Sequence, residues 1–184
     1  ANVRRSGLIA LKLKNDDNLE WVKPSTGTSE IMIATKLGQA IRFREKDVRS
    51  MGRTAAGVRG MRLKSSDEVI GMEVVDPKNK SLEFLTIGSN GLGKRTPLDE
   101  YKVQGRGGSG IKTAEITTKT GPLISARVVD KVDANEKDLI MMSAKGQVIR
   151  LPFKSINTSG RATQGVRLMR FKEENDHVVS VTML

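Results

Sequence analysis

The sequence predicts an all-β protein, a propeller-like array of four-stranded repeat units. Three features carry that expectation. A segment of about fifty residues recurs along the chain, three of its copies hold the pattern of a tight β-hairpin, and glycine or proline interrupts the chain before helical periodicity lasts three turns. Radial repetition of four-stranded units is one way to protect sheet edges that would otherwise stay open.

The copies are anchored on Gly7, Gly57, Gly110 and Gly165, spaced by 50, 53 and 55 residues. Each glycine leads a similar string, at residues 8–13, 58–63, 111–116 and 166–171. Its first and sixth places are apolar, its fifth is charged (Lys12, Arg62, Glu115, Arg170), and its second is basic in three copies (Arg59, Lys112, Arg167). That pattern predicts a half-buried strand whose alternation slips once, as at a bulge. A polar, acidic stretch follows, then a short β-branched strand at 19–22, 69–75, 123–129 and 178–183. Three copies continue into hairpins, 31–35 to 39–43 around Gly38, 82–87 to 92–96 around Asn90-Gly91, and 139–143 to 147–151 around Gly146. Asn-Gly is a strong hairpin signal because both residues tolerate positive φ. The units expected within this single repeat domain are 1–50, 51–102, 103–157 and an incomplete 158–184. A ring of three and a half units does not close, so an open or truncated array is expected.

Composition narrows the function. The 184 residues carry 32 Lys plus Arg against 21 Asp plus Glu, a net charge of +11 that favours polyanionic partners, nucleic acid first. Aromatic residues make up only 3%, too few for stacking unpaired bases, which points to duplex over single strand. No apolar run approaches the roughly 20 residues of a membrane span, so no membrane partner is expected. The first residues lack a signal-peptide pattern and there is no cysteine, so the expected location is cytoplasmic.

The charge is also segregated. Residues 35–63 and 144–170 each carry a net +6 and residues 88–112 a net +3, whereas acids collect at Asp16, Asp17 and Glu20, at Asp67 and Glu68, and at Glu173, Glu174 and Asp176. Stacked radially, the basic stretches would form one rim able to follow a duplex backbone. The candidate phosphate contacts are Lys36, Arg42, Arg44, Arg53, Arg59, Lys94, Arg95, Arg106, Lys112, Lys145, Arg150, Arg161 and Arg167. Single cations of this kind also serve to solubilise exposed hairpins. Recurrence at matching hairpin positions singles out Arg42, Arg95 and Arg150.

The run Gln104-Gly105-Arg106-Gly107-Gly108-Ser109-Gly110 lacks the Gly-Lys-Ser/Thr ending of a phosphate-cradling P-loop and leads into a strand pattern. Its small residues and one arginine suit close approach to a DNA phosphate instead. His177, the only histidine, has no cysteine or second histidine with which to share a metal, and Tyr101 reads as a packing residue. No catalytic residue, metal site, cofactor or small-molecule substrate is expected.

The glycine-led strings Thr54-Ala55-Ala56-Gly57-Val58-Arg59-Gly60 and Ala162-Thr163-Gln164-Gly165-Val166, with Asn90-Gly91-Leu92-Gly93-Lys94-Arg95-Thr96 between them, resemble the C-terminal domain of the DNA gyrase A subunit in its later blades. The resemblance covers essentially the whole chain. It implies a β-pinwheel that wraps DNA on its outer rim and supports negative supercoiling by presenting a neighbouring segment of the same DNA for strand passage. It also implies double-stranded DNA, the remainder of the gyrase A subunit and the gyrase B subunit as partners. The family's ATPase, metal-binding and DNA-cleaving parts lie in other domains.

The segment Gln104 to Gly110 is similar to that family's glycine-and-basic box, with Gly105 and Ser109 standing where the family has basic residues. It therefore looks like a degenerate copy. The related C-terminal domain of topoisomerase IV and a propeller serving as a protein-interaction platform are the alternatives. The second would need exposed aromatic anchors, for which only Trp21 and Tyr101 are available.

Overall fold

The computed structural model describes residues 7–14 and 17–184, so Asp16 of the first acidic group lies outside the described residues. The three hairpins form as the turn glycines require: β1 (Glu30–Thr35) with β2 (Gln39–Arg44), β4 (Leu82–Gly88) with β5 (Leu92–Pro97), and β8 (Asp138–Ser143) with β9 (Val148–Pro152). The β-branched strings of the later copies become β3 (Val69–Val75), β7 (Leu123–Asp130) and β11 (Val178–Met183). Two glycine-led strings supply the short β6 (Ile111–Lys112) and β10 (Val166–Arg167). The only α-helix among the described residues is a single turn, α1 (Lys131–Ala134), capped by the Asp130 carboxylate.

These strands make three antiparallel sheets with the orders β3-β1-β2-β6, β10-β5-β4-β7 and β11-β8-β9. The sheets interleave the sequence copies. The first takes its hairpin from one copy, β3 from the next and β6 from the one after that, and the second repeats the scheme with β4, β5, β7 and β10. Boundaries at 50, 102 and 157 therefore fall within sheets.

Interleaving explains where strand expectations fail. A β-branched string pairs with the hairpin that precedes it, and a glycine-led string with the hairpin before that. Residues 8–13, 19–22 and 58–63 have no such hairpin among the described residues and carry no strand. Leu8, Ile9, Leu19, Val22 and Leu63 are accordingly exposed. The strings that do pair are shortened from six residues to two. After Lys112 and Arg167 the chain crosses a hairpin tip, where the Gly38 carbonyl accepts from Thr113 N (2.8 Å) and the Gly91 carbonyl from Leu168 N (2.8 Å). This crossing is the slip in the alternation. It also accounts for the anchoring glycines of these copies. Gly110 and Gly165 have positive φ (+73° and +78°), and a Cβ on either would lie 2.5 Å from the carbonyl oxygen of Ala40 or Gly93.

The core lies between successive sheets. Met32, Ala34, Val75, Phe84, Leu98 and Tyr101 fill the first junction, and Leu85, Ile87, Leu139, Met141, Phe153 and Ile156 belong to the second. Burial of each large side chain contributes about 1.5–3 kcal/mol. Packing of β3 on β7 and of β7 on β11 places these strands inside the array, where with Trp21 and Lys23 they border an opening of about 430 Å³. The opposite edges of the first two sheets, β6 and β10, face outward.

Candidate nucleic-acid interface

The recurrent hairpin arginines occupy equivalent positions, opposite Met32, Leu85 and Ile140, with an acid two residues earlier on the partner strand. In the first two sheets that geometry turns them inward. Arg42 Nε donates to Glu30 (2.6 Å) and Nη1 to the carbonyls of Leu98 (2.8 Å) and Tyr101 (3.3 Å). Arg95 pairs with Glu83 (3.0 Å), donates to the Ile156 carbonyl (2.7 Å) and lies 4.9 Å from the centre of the Phe153 ring. Both side chains are only 12% exposed. A planar guanidinium suits this work because its fork serves a carboxylate and a carbonyl together. Arg42 and Arg95 are thus joints between neighbouring sheets and are not available to phosphates, a correction to the sequence expectation. Arg150 keeps its acid, Asp138, but no further sheet packs against it among the described residues, and it is 68% exposed.

Lys94 is corrected in the same way. It replaces Ile41 of the first hairpin at an equivalent position and is 1% exposed, with Nζ donating to the carbonyls of Gly160 (2.6 Å) and Arg161 and to Thr163 Oγ1 (3.1 Å). Burial pushes its pKa down to about 8. The negative charge of Glu100 opposes that shift and the positive charge of Arg161 adds to it. Lys36 and Lys145 stand at hairpin tips among acids, paired with Glu68 (2.6 Å) and Glu173 (3.2 Å). Asp67 and Asp176 accept backbone N–H bonds from Leu37 (2.9 Å) and Lys145 (3.0 Å) there. The tips therefore carry mixed charge.

Other cations gather along the outward edge, held by a device that occurs twice. Arg106 and Arg161 each stand four residues before an anchoring glycine. Arg106 donates to the carbonyls of Asp47 (3.1 Å) and Arg59, and Arg161 donates to the Lys112 carbonyl (3.0 Å) and lies near Glu100. Each arginine thereby clasps its loop to the preceding copy, at the residue two past that copy's glycine. The clasped residues, Arg59 and Lys112, are basic, as is the equivalent Arg167, and all three side chains are exposed. Arg44, Arg53, Arg62 and Arg170 are exposed as well. The segment Gln104 to Gly110 packs along this edge. Gln104 N donates to the Arg42 carbonyl (2.7 Å), Gly107 N to the Gly60 carbonyl (2.8 Å), and the Gly108 carbonyl accepts from Arg62 N (2.8 Å). Gly105 and Ser109 are exposed.

With this geometry in place, the family model described as the DNA gyrase C-terminal domain, beta-propeller, matches residues 1–26, 29–76, 82–130 and 137–184. The chain belongs to the DNA gyrase C-terminal domain family. The three later matches begin at a hairpin and end with the strand that pairs beside it, the phase in which the sheets are built. Among curated relatives, the DNA gyrase A subunit of Staphylococcus epidermidis is 42% identical over 92% of this chain, and that of Staphylococcus aureus 40% over 95%. The chain spans 18% and 19% of those proteins' lengths. A solved DNA gyrase A C-terminal domain superposes with a TM-score of 0.81 at 24% identity, over 97% of this chain and 58% of that one. The C-terminal domain of a DNA topoisomerase IV gives 0.87 at 25%, over 100% and 55%.

For this gyrase-family chain, sequence reasoning found the exposed positions Arg59, Lys112 and Arg167 but missed the clasp that holds them and the buried role of Lys94. The clasp had a legible signal, since Arg53, Arg106 and Arg161 all precede an anchoring glycine by four residues. Tyr101 lies in the first junction, edge-on to Phe84 at 5.3 Å between ring centres, with its hydroxyl hydrogen-bonded to Thr113 (2.5 Å). Among the described residues no group of three or more His, Cys, Asp or Glu is placed to hold a metal, and no helix is long and apolar enough to cross a membrane.

Proposed function

We propose that the chain binds double-stranded DNA by its phosphate backbone along the outward edge formed by β6, β10 and the loops before them. The observation that carries this reading is the repeated clasp. One structural position, two past the anchoring glycine, is basic and exposed in three successive copies, and the same pattern of bonds fixes the backbone beneath it in two of them. Recognition is electrostatic and indifferent to base sequence, because no helix of the described residues is long enough to enter a major groove. Cations spaced by one repeat hold a duplex only if it curves with the array. Bending a 20–30 base-pair site by 40–90° costs roughly 1–6 kcal/mol, which several phosphate contacts offset.

Within a longer gyrase A subunit, acting with the gyrase B subunit, such a curved path would feed a neighbouring DNA segment to strand passage and so support negative supercoiling. The chain's own part is non-catalytic, and a cytoplasmic setting suits that role. Family membership and the 40–42% identity to gyrase A subunits support this assignment.

A salt-titrated duplex-binding measurement tests the reading. Replacing Arg59, Lys112 and Arg167 together by Gln should weaken binding and reduce the slope of log affinity against log salt by about 1 per residue removed. An unchanged slope in a folded variant overturns the assignment of these three residues. Absence of duplex binding by the parent chain overturns the function.

A further inference from the structure

Lys94 is the one lysine of the described residues whose side chain is almost wholly buried, and all three of its acceptors lie in one loop. At the equivalent place in the first sheet, Ile41 underlies the loop before β6, with Gly108 packed close to its side chain. The two loops share their clasp, yet only the loop before β10 is tied down by an amine. That loop carries Arg161, which reaches the Lys112 carbonyl and sits 5.9 Å from the Tyr101 ring centre, and it leads within six residues to Arg167. Resting on the DNA-binding role proposed above, we propose that Lys94 is a positioning residue for the rim. Its buried ammonium ties Gly160, Arg161 and Thr163 together so that the Arg161 clasp on Lys112 holds and Lys112 and Arg167 present to phosphates, and loss of its proton slackens the loop and weakens the grip on DNA.

The donor count supplies the mechanism. An ammonium has three N–H donors for the three oxygens that surround it, which leaves the Thr163 hydroxyl free to donate to the Gly160 carbonyl (2.9 Å). A neutral amine has two donors and a lone pair, so the Thr163 hydroxyl must turn from Gly160 to face that lone pair. The loop then loses one internal bond, the remaining amine bonds are no longer charge-assisted, and its hold slackens. The charged groups that face Lys94 are Arg161 and Glu100, and Glu115 lines the same cleft. With a pKa of about 8, Lys94 changes charge just above neutrality, far below the range of an exposed lysine.

The sign separates positioning from mere stabilisation. A lysine whose folded pKa is depressed makes folding more favourable as pH rises from about 8 to its unfolded value, because the unfolded chain binds more protons there. Fold stability from this group therefore increases over the very range in which DNA affinity is expected to fall.

The test compares duplex affinity of the full 184-residue chain and its Lys94→Met variant at fixed salt between about pH 7 and pH 9.5. The parent should bind about tenfold more tightly than the variant at pH 7, and the ratio should approach one at the upper end. A folded variant that binds like the parent at every pH overturns the inference while leaving the DNA-binding reading intact. No duplex binding by the parent overturns both. Should Lys94→Met fail to fold, Thr163→Val removes one of the three oxygens at an exposed position. It is expected to lower affinity at pH 7 and to flatten the pH profile, and a profile identical to the parent's overturns the inference.

Discussion

The two junctions between sheets are built on one template with the side chains exchanged. In the first, Leu98 and Tyr101 flank a 3-10 turn and receive Arg42, and in the second Phe153 and Ile156 do the same for Arg95. The large aromatic ring has moved three residues along the turn, and the arginine has followed the chemistry available. Arg42 takes two carbonyls beside Tyr101, and Arg95 takes one carbonyl and the face of Phe153. A repeat position thus dictates a joint, while the atoms that complete it are free to vary as long as every donor finds a partner and the volume between sheets is filled. The open face of the third sheet shows the converse, because Arg150 holds the same register with nothing across from it among the described residues and becomes a surface cation.

The largest expected effect breaks both junctions alike. Removing the acid by Glu30→Ala or Glu83→Ala leaves a largely buried guanidinium without its counter-charge, at a cost of about 3 kcal/mol in denaturant unfolding. The matching Asp138→Ala change on the open face should cost less than about 1 kcal/mol, because solvent screens that pair. Equal losses at all three sites would mean that sheet packing is not what distinguishes them.

A smaller effect separates the second junction from the first. Phe153→Leu removes the ring under Arg95 and leaves a partly filled gap, for an expected loss of about 1–2 kcal/mol, whereas Leu98→Met in the first junction should stay below about 1 kcal/mol. Thermal unfolding of the two variants side by side checks the contrast.

A last effect is visible only at alkaline pH and only at the first junction. Burial raises the Tyr101 pKa to about 12, against the opposing hydrogen bonds from Thr113 and Thr96 and the charge of Arg161. A raised folded pKa contributes stability that is fully present below about pH 10, the unfolded value, and is lost as pH rises through 12. Melting temperature should fall across that interval in the parent and fall less in Tyr101→Phe. Identical alkaline profiles would place the sensitivity elsewhere.

Much of this fold is legible in the amino-acid order. The recurring glycines, the three hairpins and the β-branched strings at 69–75, 123–129 and 178–183 are local patterns, and each becomes an element within a residue or so of its expected bounds. The strings at 8–13, 19–22 and 58–63 carry the same local pattern and form no strand, because a strand exists only when a partner hydrogen-bonds it. At the candidate site, Arg59, Lys112 and Arg167 are visible as basic residues at one repeated place, but Arg42 and Arg95 recur at a hairpin position just as plainly and Lys94 stands beside one of them, so the amino-acid order does not tell the buried cations from the exposed ones.

Sequence alone determined the period of the chain, its all-β class, its hairpin turns and its excess of positive charge, since these follow from backbone freedom at glycine, alternation along strands and a count of ionisable groups. Tertiary structure decided which copies share a sheet and which cations remain at the surface. A guanidinium or ammonium is available to a phosphate only if nothing nearer satisfies its N–H groups. For Arg42 and Arg95 the nearer groups are a carboxylate 12 residues away on the same hairpin and carbonyls 56 to 61 residues away brought in by the packing of the next sheet, and for Lys94 they are carbonyls and a hydroxyl 66 to 69 residues away in the loop before β10.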